Sequence, residues 1–180
     1  MIRAAVWLAV CALGFAQAPP SPPPGQDVTK PAHVIAVYVD LDSAAASRAM
    51  VVLRAFTDRH PGVAAVELHL MAPEGRARTV DRAALAAEGQ GAGLRMAELM
   101  LANQARRTGA DFLAMARQLR LDEAQFTAAL AADSSTRSLA ADAATAASLG
   151  LPRDVAIVID GQPLASAITL VDLERRLGQS

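Results

Sequence analysis

The segment Asp40-Leu-Asp-Ser-Ala-Ala-Ala-Ser-Arg48 joins a strand-like apolar run to a helix-like run. A helix start exposes backbone N–H groups, so it favours anions and lowers the pKa of a thiol placed there. This junction offers Ser43 and a row of alanines instead. A serine hydroxyl becomes a nucleophile when a base lies within hydrogen-bond reach and a third group orients that base. The candidate bases are His33, His60 and His69. His60 falls at the far end of the helix, His69 near the end of a strand, and His33 before the first strand, at the end opposite Ser43. The placement favours Ser43 or Asp42 as a helix cap, with Ala44 to Ala46 as good helix formers.

The histidines show no short ligand spacing, so neither a metal site nor a cofactor is expected. Asp40, Asp42 and Asp154 could meet near the junction as solvated carboxylates, as partners of Arg48 or Arg153, or as a weak site for a hard cation. Met96, Met100 and Met115, at helical spacing, read as core filling rather than a copper-binding or client-binding stripe.

The elements that would position these residues follow from periodicity. Val34-Ile-Ala-Val-Tyr-Val39 is a continuous apolar run, as in a strand covered on both faces. Ala49, Val52, Leu53 and Phe56 lie on one helical face, and Pro61 and Gly62 close that helix. Val63 to Leu70 reads as a second strand, completing a right-handed β-α-β unit and an at least partly parallel sheet. An alanine-rich helical region runs from about residue 80 to 148, broken at Gly89 to Gly93 and at Thr108-Gly109. Asp122 to Gln125 resembles a capping box before Phe126. Val155 to Ile159 is a third strand, and Asp160-Gly161 a two-residue hairpin turn into a fourth around Leu164 to Ala167. Thr169 caps a final helix that buries Leu170, Leu173 and Leu177.

Residues 1–16 read as an export signal, with Arg3 in the n-region, an apolar stretch from Ala4 to Phe15, and Gly14-Phe-Ala16 as cleavage site; Ala18 is the alternative boundary. The stretch is shorter than the roughly 20 apolar residues of a membrane span. Residues 17–32 form a proline-rich linker, and 33–180 form one domain. Cys11 is the single cysteine and lies in the leader, so the cleaved chain can make no disulfide and exchange no thiol; Leu8-Ala-Val-Cys11 is a poor lipid-anchor motif because Val10 is bulky. With 17 Lys+Arg against 18 Asp+Glu and no run of like charge, nucleic acid and anionic membrane are not expected partners.

The order β-α-β, helical block, β-β-α matches the thioredoxin fold with an α-helical insertion. The runs AALAAEGQGAGLRMAELMLANQ (Ala83 to Gln104), FLAMARQLRLDEAQFTAAL (Phe112 to Leu130), AATAASLGLP from Ala143 and VAIVIDG to Gly161 resemble, in order, the DsbA family of exported thiol-disulfide oxidoreductases. The resemblance covers about Val34 to Leu177. It implies an α/β, thioredoxin-like fold whose chemistry rests on Cys-x-x-Cys at the first helix start and on a cis-proline loop facing it. On this sequence the cysteine positions fall on Ser43 and Ala46. The family's Gly-x-x-Gly-Thr-Pro loop corresponds to Gly150-Leu-Pro-Arg-Asp-Val155, with Val155 at the cis-proline, Asp154 at the threonine, and Pro152 three residues too early. A cis bond before a residue other than proline costs about 2.5–4 kcal/mol, so a trans, reshaped loop is expected.

The resulting expectation is an exported, periplasmic or secreted, non-catalytic thioredoxin-fold module. It would bind a protein or peptide of the cell envelope, with Asp42, Ser43, Asp154 and Val155 as binding positions. The alternatives are a residual oxidoreductase working with a partner's thiols, a Ser43-dependent hydrolase, or a nonspecific holdase. Oligomeric state is not encoded in any motif of the chain.

Overall fold

A computed structural model describes residues 31–72, 78–132, 135–164 and 168–177. The leader, nearly all of the linker and residues 165–167 of the expected fourth strand lie outside them. The first strand, β1 (His33–Val39), is followed by helix α1 (Ala44–Arg59) and by β2 (Ala64–Leu70). Strand β1 pairs in parallel with β2, with Val39 opposite Leu70. On its other side it pairs antiparallel with β3 (Val155–Ile159), with Val39 opposite Val155. The sheet order is β2-β1-β3-β4.

The continuous apolar run of β1 is explained by its inner position. Ile35, Val37 and Val39 join the main core, while Tyr38 joins a second cluster on the opposite face with Met71, Ala146, Ala156 and Val158. Helix α1 buries Ala46, Ala49, Met50, Leu53 and Phe56. Val52, expected on the same face, is only partly buried at its edge. The helix ends where His60 donates its N–H to the Phe56 carbonyl, and Gly62 then takes φ +82°, a conformation open to glycine at little cost.

The alanine-rich block is five helices: α2 (Thr79–Glu88), α3 (Gly93–Ala102), α4 (Gly109–Gln118), α5 (Glu123–Ala131) and α6 (Ser135–Ser148). Helix α2 buries Ala83, Ala84, Ala86 and Ala87, whose small side chains let α3 and α5 approach closely. Gln90, in the turn after α2, bonds both the N–H and the carbonyl of Asp122 and so anchors the start of α5. Asp122 and Thr108 cap α5 and α4 by accepting from Gln125 and Asp111. Met96, Met100 and Met115 are buried, as expected of core filling.

Asp160 and Gly161 have φ +50° and +80°, the pair of left-handed conformations that a two-residue type I′ turn demands. So tight a turn leaves no room for a loop, and pairing resumes at once: β4 is Gln162–Pro163, with Gln162 opposite Ile159. Leu164, the first residue of the expected 164–167 stretch, donates its N–H to the Ile157 carbonyl at 2.8 Å and so continues the ladder. Helix α7 (Leu170–Leu177), capped by Thr169, buries Leu173 and Leu177, while Leu170 is only half-buried. Among the described residues no helix is long and apolar enough to cross a membrane.

Candidate functional site

The start of α1 is closed by its own side chains. Ser43 Oγ accepts from the N–H groups of Ala45 at 3.1 Å and Ala46 at 3.4 Å, satisfying donors that the helix leaves unpaired. Ala46 is fully buried in the core. Asp40 Oδ1 accepts from the Asp42 N–H, and the Asp40 N–H donates to the Asp154 carbonyl at 2.9 Å. That last bond joins the loop before α1 to the loop before β3. It brings Ser43, Asp154 and Val155 to one end of the sheet, as the resemblance implies.

The acidic patch takes a form that sequence did not reveal. Arg78, immediately before α2, places Nη2 2.8 Å from Asp40, Nη1 2.6 Å from Asp42 and Nε 2.9 Å from Asp81. Arg107 donates Nη2 to the Leu41 carbonyl at 3.0 Å and approaches Asp42 at 3.6 Å. Burial works against the Arg78 charge, but the hydrogen bonds to Asp81 and then Asp40 outweigh it, and the pKa of the guanidinium is raised. The cation shared by these carboxylates is thus an arginine from the helical insertion. Neither Arg48 nor Arg153 takes this part, and Asp154 makes no ion pair in the cluster, because Arg78 already holds both Asp40 and Asp42. Among the described residues no group of three or more His, Cys, Asp or Glu is arranged to hold a metal ion.

The histidines are dispersed, each with a carboxylate. His33 Nδ1 lies 2.8 Å from Asp160, His60 Nε2 3.4 Å from Glu174, and His69 Nδ1 2.8 Å from Asp142. His69 also stacks on Tyr38, with ring centroids 4.5 Å apart and planes at 13°. Ser43 Oγ engages the helix backbone rather than an imidazole, so the nucleophile and base of a hydrolase do not meet.

Beside the closed helix start runs a largely apolar groove of about 760 Å³. Ala45, Arg48, Ala49 and Val52 of α1 form one wall; Leu151, Pro152, Asp154 and Val155 form the other, with Pro163 and Leu164 beyond. Of the positions expected to bind, Asp154 and Val155 line this groove, while Asp42 and Ser43 lie beside it in the cap and the Arg78 cluster. The peptide bond before Val155 is trans, since no cis bond occurs among the described residues.

Arg78, Asp81 and Arg107 escaped the sequence reading. An acid three residues into α2 whose carboxylate accepts from the Arg78 N–H is a local signal that could have marked Asp81. Nothing local marks the reach of Arg78 to Asp42 across 36 residues.

A four-stranded mixed sheet carrying β-α-β and β-β-α units, with five helices inserted between them, defines a thioredoxin-like α/β fold of the kind found in DsbA-like thiol-disulfide oxidoreductases. The chain is similar in structure to the thiol-disulfide exchange protein alpha-DsbA2 of Wolbachia pipientis, with a TM-score of 0.71 at 14% identity over 84% of this chain and 83% of that one. It is likewise similar to a thioredoxin-like oxidoreductase from Silicibacter pomeroyi, with a TM-score of 0.68 at 20% identity over 83% and 87% of the two chains. The catalytic domain of Proteus mirabilis ScsC gives a TM-score of 0.67 at 18% identity over 84% of each chain. No family model and no curated protein matches the sequence.

Proposed function

We propose that this chain is an exported, non-catalytic thioredoxin-fold module that holds an extended peptide segment of a cell-envelope protein in the groove beside α1. Residues 1–16 act as the leader that delivers it to the periplasm or outside the cell, and 17–32 as the spacer. The observation that carries this reading is the survival of the groove next to a helix start whose thiol positions are spent: Ser43 on capping and Ala46 on core packing. Such a surface offers shape and apolar area, the ordinary means of peptide recognition, without a nucleophile.

Two measurements test it. The purified protein should leave the disulfides of insulin in dithiothreitol to the background rate, and it should retain extended apolar peptides. Ala45→Arg, which fills the groove from a half-buried helix position while preserving helix propensity, should abolish that retention with the circular dichroism spectrum unchanged. Failure of both the wild type and the variant to bind peptides would remove the proposal.

The solved structures similar to this one are described as thiol-disulfide exchange proteins and oxidoreductases, which favours as a second reading a repurposed oxidoreductase working with a partner's thiols. In that case the protein should accelerate disulfide exchange between added thiol and disulfide peptides, and Ala45→Arg should remove the acceleration. A Ser43-dependent hydrolase would instead lose all activity in Ser43→Ala.

A further inference from the structure

We infer that the groove beside α1 selects an extended, mainly apolar peptide carrying adjacent acidic and basic side chains, the acid seated on Arg48 and the base on Asp154. The inference rests on the groove being the binding site. Arg48 belongs to α1 and Asp154 to the loop before β3, so the two stand on opposite walls. Both are exposed, and neither side chain makes an ion pair among the described residues.

Arg153, next to Asp154, is likewise exposed and without an ion pair among the described residues, but it does not line the groove. Arg54, Arg59, Arg106 and Arg117 each have a carboxylate partner, and the neighbouring acids Asp40 and Asp42 are taken by Arg78. An apolar groove with one unclaimed cation on one wall and one unclaimed anion on the other is complementary to a ligand with the opposite pair. Successive side chains of an extended chain point to opposite sides, so two consecutive residues of a peptide in the groove can reach the two walls. A ligand with a lone carboxylate would answer Arg48 and leave Asp154 facing apolar surface. The charge pair therefore sets register as well as partner class.

The probe is the acetylated, amidated octapeptide Ala-Val-Leu-Glu-Lys-Val-Leu-Ala, measured by fluorescence anisotropy against versions with Gln in place of Glu, of Lys, or of both. Each single replacement should weaken binding to the wild type by about three- to fivefold, the range of a partly exposed ion pair. Arg48→Ala should erase the cost of replacing the peptide Glu while leaving the cost of replacing Lys; Asp154→Asn should do the reverse. Both sites are exposed, so both variants keep the fold, which circular dichroism checks. Equal affinity for all four peptides, or a loss in both variants that ignores peptide charge, overturns this inference and leaves the groove reading standing. Binding of none of the peptides overturns both.

Discussion

The guanidinium of Arg78 holds the fully buried carboxylate of Asp81 through two bonds, Nε to Oδ2 at 2.9 Å and Nη2 to Oδ1 at 3.0 Å. The same guanidinium reaches Asp40 and Asp42, so the helical insertion is tied to the start of α1 by charge. Arg78→Gln leaves the Asp81 carboxyl buried without the guanidinium that holds it, and should cost about 3–5 kcal/mol of unfolding free energy. Asp81→Asn leaves Arg78 with two other carboxylates and should cost clearly less. Urea titrations of the two variants check the order; equal losses would mean that the pair, not the buried charge, carries the effect.

Ser43 acts in folding through its cap. Ser43→Ala removes the acceptor for two N–H groups and should lower stability by about 1 kcal/mol. Ser43→Cys puts a thiol where those N–H groups converge, so its thiolate should form below the ordinary cysteine range. Thiolate absorbance at 240 nm against pH reads this directly. A thiol titrating at or above about 8.5 would show that Asp42 cancels the helix start.

His69 links β2 to α6. Its hydrogen bond to Asp142 raises its pKa, opposed by burial and assisted by the charges of Asp142 and Glu67. Asp142 also accepts from the Leu70 N–H, so the contact docks the helix on the strand. Because the folded-state pKa lies above the unfolded value of about 6.5, protonated His69 stabilises the fold fully below that pH. The contribution is lost as pH rises through the folded pKa. His69→Phe keeps an aromatic ring on Tyr38 without the titration. The stability difference between wild type and this variant should therefore be constant below about pH 6.5 and shrink as pH rises above it, as followed by denaturant unfolding at each pH.

Gly161 holds φ +80° in the turn that sets the β3–β4 register. Gly161→Ala should cost about 1–2 kcal/mol, since a Cβ is disfavoured in that region. No neighbouring atom within 4 Å would meet the added methyl, so the loss measures backbone strain alone. Thermal unfolding of the variant provides the measurement.

The sequence by itself determined the order of the elements, the covered run of β1, a side-chain cap at Asp42 or Ser43, the Asp160-Gly161 turn and the absence of thiols from 33–180. These are local matters: side-chain period, capping and φ > 0 preferences act over a few residues, so a short window contains their cause. The same turn sets where pairing resumes, at Gln162 opposite Ile159. Only the tertiary structure decided that Arg78 and Arg107 neutralise the acids at the helix start, that His69 pairs with Asp142, and that Arg48 and Asp154 are left over on facing walls. Arg107 meets Leu41 across 66 residues, and His69 meets Asp142 across 73. Many carboxylates along the chain would satisfy an arginine equally well, and the route of the backbone, set by core packing, chooses which one it meets.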